Sequence, residues 1–168
     1  MFETIHIRCV ATILYSYKCF LTHSMCSLFH IARLCACTGM ALHLVHPLDF
    51  EISDKQLRRA GFIAGLGYWE WLDVKEYQSW QDVRQALKHQ GQWYALSTKA
   101  TTSIWEASFK ADDVLVFGPE SRGLPLAILE ELTPIKIPMR EDAPVRSLNL
   151  SSACSIVSYE ALRQITEA

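Results

Sequence analysis

The chain has 168 residues, half of them hydrophobic, which is enough for one domain with a full core; we expect a single domain over residues 1–168. The net charge of −2 lacks the basic character of a nucleic-acid binder, so any such role must rest on a local patch. Charged residues interrupt every apolar run before about twenty residues accumulate, which excludes a membrane span and favours a cytoplasmic protein. The six cysteines lack a CxxC pair and predict reduced core residues without a metal site.

Strands and helices are predicted to alternate along the chain. The predicted strands are residues 10–15, 42–45, 68–74, 93–96, 114–117 and 135–137. The predicted helices are residues 27–38, 53–61, 80–90, 124–132 and 148–165, with loops at 62–67 and 97–103. This alternation predicts an α/β fold with a mostly parallel sheet and helices on both faces.

Two of these strands end at residues that interrupt a sheet. The run at 114–117 ends in Gly118, and the run at 135–137 ends in Pro138. The last helix follows soon after, with Asn149 or a neighbouring serine available as its cap. Two strand ends and a helix start close together predict a ligand crevice of the kind found in open α/β sheets.

Common ligand motifs do not account for this crevice. The glycines at 118 and 123 have phosphate-loop spacing, but Leu124 stands where that motif requires lysine. The chain also lacks a GxGxxG dinucleotide fingerprint and a GxSxG nucleophile elbow. Composition alone leaves open an ordinary strand-to-helix turn.

The ordered motifs point to a known family. The segments FGPESRGLP at 117–125, IPM at 137–139 and SLNLS at 147–151 resemble the second and third motifs of SPOUT methyltransferases. Within these, the chain is most similar to small tRNA 2′-O-methyltransferases that act on the wobble nucleotide. Further matches lie around Arg33, at 57–61 and at 94–99, so the resemblance covers roughly residues 31–165.

This resemblance implies a fold and a site. It implies a C-terminal trefoil knot, a homodimer, a tRNA substrate and S-adenosylmethionine bound in the knot. The implied cofactor-binding residues are Leu96, Gly118, Ile137 and Ser147. The implied catalytic residues are Arg33, Ser147 and Asn149, and the implied RNA-binding residues are Arg122 and Tyr159.

The first motif departs from the family, and residues 1–30 are divergent. Before Arg33 the family reads approximately PxIPxNTGNI, a loop of the site, whereas this chain has THSMCSLFHI and keeps only Ile31. Residues 62–65 are an insertion. Three functions remain open: an active tRNA methyltransferase, a catalytically impaired RNA- or cofactor-binding relic, and a ribosomal-RNA 2′-O-methyltransferase.

Overall fold

A computed structural model describes residues 8–12, 23–46, 71–119, 122–145 and 147–167. The helix predicted at 53–61 and the loop at 62–67 lie outside these residues. Within the described part, no helix is both long and apolar enough to span a bilayer.

The described strands form one parallel sheet. They are β1 (Arg8–Thr12), β2 (Ala41–Val45), β3 (Val74–Tyr77), β4 (Trp93–Leu96), β5 (Thr102–Ser103), β6 (Val114–Phe117) and β7 (Thr133–Lys136). Their order across the sheet is β3-β2-β1-β6-β4-β7-β5, and each neighbouring pair is parallel. The predicted parallel α/β fold is confirmed.

Helices cover both faces of this sheet. Within the described residues they are α1 (His23–Thr38), α2 (Trp80–Ala86), α3 (Leu126–Glu130) and α4 (Leu150–Thr166). Leu115 and Phe117 of β6 belong to the core that includes α1 and α4, whereas Val114 and Val116 belong to the core that includes α2 and α3. Because side chains alternate along a strand, these two cores lie on opposite faces.

Helix α1 begins earlier than the sequence predicted. It starts at His23 rather than at residue 27, so the segment that replaces the family's first loop is helical here. No proline or glycine occurs from residue 23 to residue 38, and those are the residues that would interrupt a helix. Gly39 ends α1 with a φ of +73°, as predicted.

Other element boundaries were predicted wrongly. Residues 68–70 of the strand predicted at 68–74 lie outside the described residues, and β3 begins at Val74, which pairs with Leu42 of β2, while Trp71 is 80% exposed. The predicted polar loop 97–103 contains the short strand β5. The helices predicted at 80–90 and 124–132 are shorter, and the second starts after Pro125, which lacks the N–H needed inside a helix. Strand β7 occupies Thr133–Lys136 rather than 135–137.

Candidate active site

Three neighbouring strands end together at one edge of the sheet. Strands β6, β4 and β7 are adjacent and parallel, so their carboxyl ends lie at the same edge, called the carboxyl edge below. Leu96 ends β4 opposite Ile135, and Gly118 and Ile137 directly follow β6 and β7. Neighbouring strands are about 4.8 Å apart, so the structure brings these three predicted residues together.

The loop after β6 folds back onto the end of that strand. A Cβ atom at Gly118 would lie 2.4 Å from the Leu124 nitrogen and 2.5 Å from the Gly123 carbonyl carbon. Gly123 has a φ of +69°, and its N–H donates to the Pro119 carbonyl at 2.9 Å. This close return of backbone requires glycine at position 118 and leaves the strand end uncovered by a side chain.

The start of α4 faces the same edge. Near the other end of α4, the Gln164 side chain accepts the Phe109 N–H at 2.9 Å and donates to the Ala107 carbonyl at 3.1 Å. Lys110, the residue after Phe109, donates its N–H to Asp113 directly before β6, so Phe109 lies towards the amino end of that strand and the first turn of α4 points towards the carboxyl edge. The exposed residues Ser147 and Asn149 therefore lie on the side of Gly118.

Asn149 already has a structural task. Its Oδ1 atom accepts the Ser152 N–H at 2.8 Å and caps α4, as the sequence predicted. The side-chain Nδ2 group carries the donors that remain for a ligand.

Arg33 and Tyr159 lie away from these strand ends within one chain. Because α1 connects two parallel strands, it runs back from the carboxyl edge, and Arg33 lies ten residues, or about 15 Å, after His23. Tyr159 lies ten residues after Asn149 on α4, a similar distance along that helix. Both side chains are exposed, and α1 packs against α4. The structure thus places both residues on the surface of the α1–α4 layer.

Charged groups near the carboxyl edge are mainly exposed. Arg122 lies in the returning loop with its side chain in solvent. Arg140 also lies beyond a strand end, but its Nε–H donates to Asp142 at 3.0 Å, which balances its charge. No cluster of three or more potential metal ligands occurs among the described residues.

The buried carboxylate of Asp113 belongs to the opposite edge. Burial raises its pKa, although its oxygens accept the N–H groups of Gln92 and Lys110, each at 2.8 Å. These contacts tie the starts of β4 and β6 together, so this perturbed group has a structural role.

Sequence reasoning missed Trp105. It follows β5 and is 58% exposed at the carboxyl edge. The available signal was an aromatic residue two positions after the polar, threonine-rich segment 97–103.

Residues 29–159 match the SpoU rRNA methylase family. The chain belongs to this family. Because the match starts at residue 29, it includes Arg33 and excludes most of the divergent segment 1–30. The methyltransferase resemblance is confirmed.

Individual relatives agree with this membership. The chain is 47% identical over 139 residues to a tRNA (cytidine(34)-2′-O)-methyltransferase of Saccharophagus degradans, covering 81% of this chain and 86% of the relative. It is similar to a solved structure described as giving insights into 2-OH methylation of C/U34 on tRNA, with a TM-score of 0.78 and 37% identity. The match covers 96% of this chain and 99% of the solved chain. AviRb from Streptomyces viridochromogenes, solved in complex with AdoMet, shares the fold at a TM-score of 0.76 and 18% identity. The match covers 100% of this chain and 63% of the AviRb chain.

Proposed function

We propose that this SpoU-family protein methylates the ribose 2′-oxygen of the tRNA wobble nucleotide, a cytidine or a modified uridine, with S-adenosylmethionine as the methyl donor. The observation that carries the proposal is the meeting of Leu96, Gly118 and Ile137 at one edge of the sheet, beside the start of α4. The high identity to a relative named for this reaction supports the choice of tRNA over ribosomal RNA.

The proposed cofactor site fits a nucleoside. Leu96 and Ile137 are half-buried and offer apolar surface to an adenine ring, while the backbone at the strand ends offers polar groups to its edge. Gly118 lets that backbone be approached closely. The bound cofactor supplies an activated methyl group on a sulfonium. We further propose that the C-terminal part of the chain forms a trefoil knot that holds it.

On the acceptor side, we expect the positioning of the ribose 2′-oxygen to account for most of the catalysis. An in-line methyl transfer needs the 2′-oxygen held in line with the methyl group, and orientation alone can lower the barrier substantially. Ser147 and the Nδ2 group of Asn149 are the proposed orienting groups at the carboxyl edge. A guanidinium is a poor proton acceptor, so the proposed role of Arg33 is to orient the ribose and stabilise developing charge rather than to act as a base.

A homodimer completes this site in the proposal. Arg33 lies about 15 Å along α1 from the end nearest the strand ends, so it serves more readily the site of a partner chain. Tyr159, also exposed on the α1–α4 layer, and Arg122 are the proposed RNA contacts, through base stacking and phosphate pairing.

One observation favours a second candidate, a cofactor- or RNA-binding protein without transfer. The segment before Arg33 is part of α1, with Leu28 buried in the core, so it does not supply the polar loop that the family resemblance implies for the acceptor.

Labelled methyl transfer to total tRNA distinguishes the candidates. We expect transfer by the parent chain and a loss of about a hundredfold or more in Arg33→Ala, comparable to removing one charge-stabilising donor. Arg84→Ala is the matched control, since Arg84 lies on α2 on the other face of the sheet, and it should retain full transfer.

Calorimetry with S-adenosylmethionine separates the remaining outcomes. Cofactor binding without any methyl transfer selects the binding protein, and transfer to ribosomal RNA in place of tRNA selects the third function. Absence of cofactor binding at millimolar concentration contradicts both methyltransferase functions and leaves only an RNA-binding protein.

A further inference from the structure

Trp105 is a large aromatic side chain held in solvent by a well-bonded turn. The residue is 58% exposed. The backbone N–H of Trp105 donates to the Ser103 Oγ at 3.1 Å, and the backbone N–H of Ser103 donates to the Glu106 carboxylate at 2.8 Å. The N–H groups of Glu106 and Ala107 both donate to the Ser103 carbonyl, at 3.0 and 3.2 Å. The backbone under Trp105 is therefore fixed before any partner arrives.

This turn lies beside the proposed cofactor site. Strand β5 pairs with β7, with Ser103 opposite Lys136, and the Ile104 N–H donates to the Lys136 carbonyl at 2.9 Å. Trp105 is the next residue after Ile104 and lies in the turn that follows β5, so its backbone lies beside the end of β7, which leads directly into Ile137. Trp105 therefore lies at the carboxyl edge, next to the strand end assigned to the cofactor.

We propose that Trp105 is a stacking platform for an unpaired RNA base next to the nucleotide that is methylated. This inference rests on the proposed function, which brings a single-stranded RNA loop to the same edge. Every base has a flat face that stacks on an indole, and a preorganised aromatic loses little conformational freedom on binding. The carboxylate of the neighbouring residue Glu106 accepts the Ser103 N–H, which offsets part of the negative charge that would repel RNA phosphates.

An RNA base fits this position better than a second copy of the chain. Trp105 follows β5, the outermost strand on its side of the sheet, whereas α1 and α4 pack beside β2 and β6. The homodimer proposed above brings Arg33, on the surface of the α1–α4 layer, to a partner's site, so the contact between copies is expected on that side rather than at the β5 end.

Titration of an anticodon stem-loop RNA, with cytidine at the wobble position, into the full chain tests this inference. We expect Trp105→Ala to weaken RNA binding about 5- to 150-fold, the range for loss of one stacked base, and Trp105→Phe to recover much of it. Trp71→Ala is the matched control, because Trp71 is also exposed but precedes β3 at the opposite end of the strand order. Its RNA affinity should equal that of the parent.

Salt dependence distinguishes stacking from phosphate contact. Loss of a stacking residue should shift the plot of log affinity against log salt concentration downwards without changing its slope, whereas loss of a phosphate contact makes the slope shallower. We therefore expect parallel lines for the parent and Trp105→Ala.

Three results would overturn the proposal. They are unchanged RNA affinity in Trp105→Ala, an equal loss in Trp71→Ala, and conversion of a dimer to a monomer by Trp105→Ala in sedimentation. The last would assign Trp105 to an interface between chains. Calorimetric binding of S-adenosylmethionine should stay unchanged in Trp105→Ala, which shows that the variant is folded. Methyl transfer by the parent chain tests the proposed function separately, because the RNA titration reads binding alone.

Discussion

Replacing Gly118 with alanine should damage both the stability of the fold and the proposed cofactor site. The added Cβ would meet three backbone atoms of residues 123 and 124 at 2.4, 2.5 and 3.0 Å. Backbone cannot rotate away as a flexible side chain can, so the returning loop must move. Overpacking of this kind typically costs about 1–3 kcal/mol of unfolding free energy.

Gly39→Ala provides the matched control. Gly39 has a φ of +73°, but a Cβ there would meet nothing within 4 Å, and it lies at the end of α1 that leads into the start of β2. The left-handed backbone alone should cost about 1–2 kcal/mol. The two variants are thus expected to lose similar stability for different reasons, one at the proposed site and one far from it.

Urea denaturation and calorimetry with S-adenosylmethionine measure the two effects. We expect Gly118→Ala to lose about tenfold or more in cofactor affinity, equivalent to at least about 1.4 kcal/mol, while Gly39→Ala retains the parent affinity. A Gly118→Ala variant with parental stability and parental affinity would refute the reasoning about the returning loop.

Three further variants probe other contacts. Asn149→Ala should cost about 1 kcal/mol in urea denaturation because the Ser152 N–H loses its cap, and Asn149→Asp should restore that stability. Burial raises the pKa of Asp113 above its ordinary value of 3.8, so the folded state binds this proton more tightly than the unfolded state does. The contribution of Asp113 to stability therefore falls as pH rises from about 4 through the folded-state pKa. Across that range the unfolding free energy of the parent should fall more steeply with pH than that of Asp113→Asn. Arg84→Ala should cost about 0.5–1 kcal/mol, because the guanidinium lies 4.3 Å from the Trp93 ring centre, and a larger loss would indicate a further role for Arg84.

Local sequence predicted the central strands well. Strands β4 and β6 have the predicted limits, because each is a run of apolar residues and β6 ends at a glycine. The last helix was also anticipated, since Ala153, Cys154, Val157 and Ala161 recur at helical spacing and all are buried. These features depend on residues close together in the chain, and the spacing of apolar residues indicates them directly.

Features that depend on distant pairing were less predictable. The aromatic residues before Val74 suggested a strand, but hydrogen bonding to β2 sets where β3 begins. Strand β5 has only two residues and exists because β7 offers an edge to pair with. Such short strands carry too little pattern to be identified from sequence.

In the candidate site, too, local features were predictable from sequence and the pairing of distant segments was not. Gly118 was marked by its position after an apolar strand, but its nearness to Leu96 and Ile137 depends on β4 lying between β6 and β7. Local periodicity does not encode strand order, so only the family resemblance grouped these residues. The segment before Arg33 already departs from the family motif in sequence, and without glycine or proline it forms helix instead of the family's loop.

The most direct test of the central claim is to map the methyl group on tRNA after incubation with the protein and S-adenosylmethionine. Nuclease digestion followed by mass spectrometry identifies the modified nucleotide and distinguishes ribose from base methylation. The proposed function predicts a 2′-O-methyl group on the wobble nucleotide, lost in Arg33→Ala and retained in Arg84→Ala. A wobble ribose that stays unmethylated although the protein binds the cofactor would contradict it.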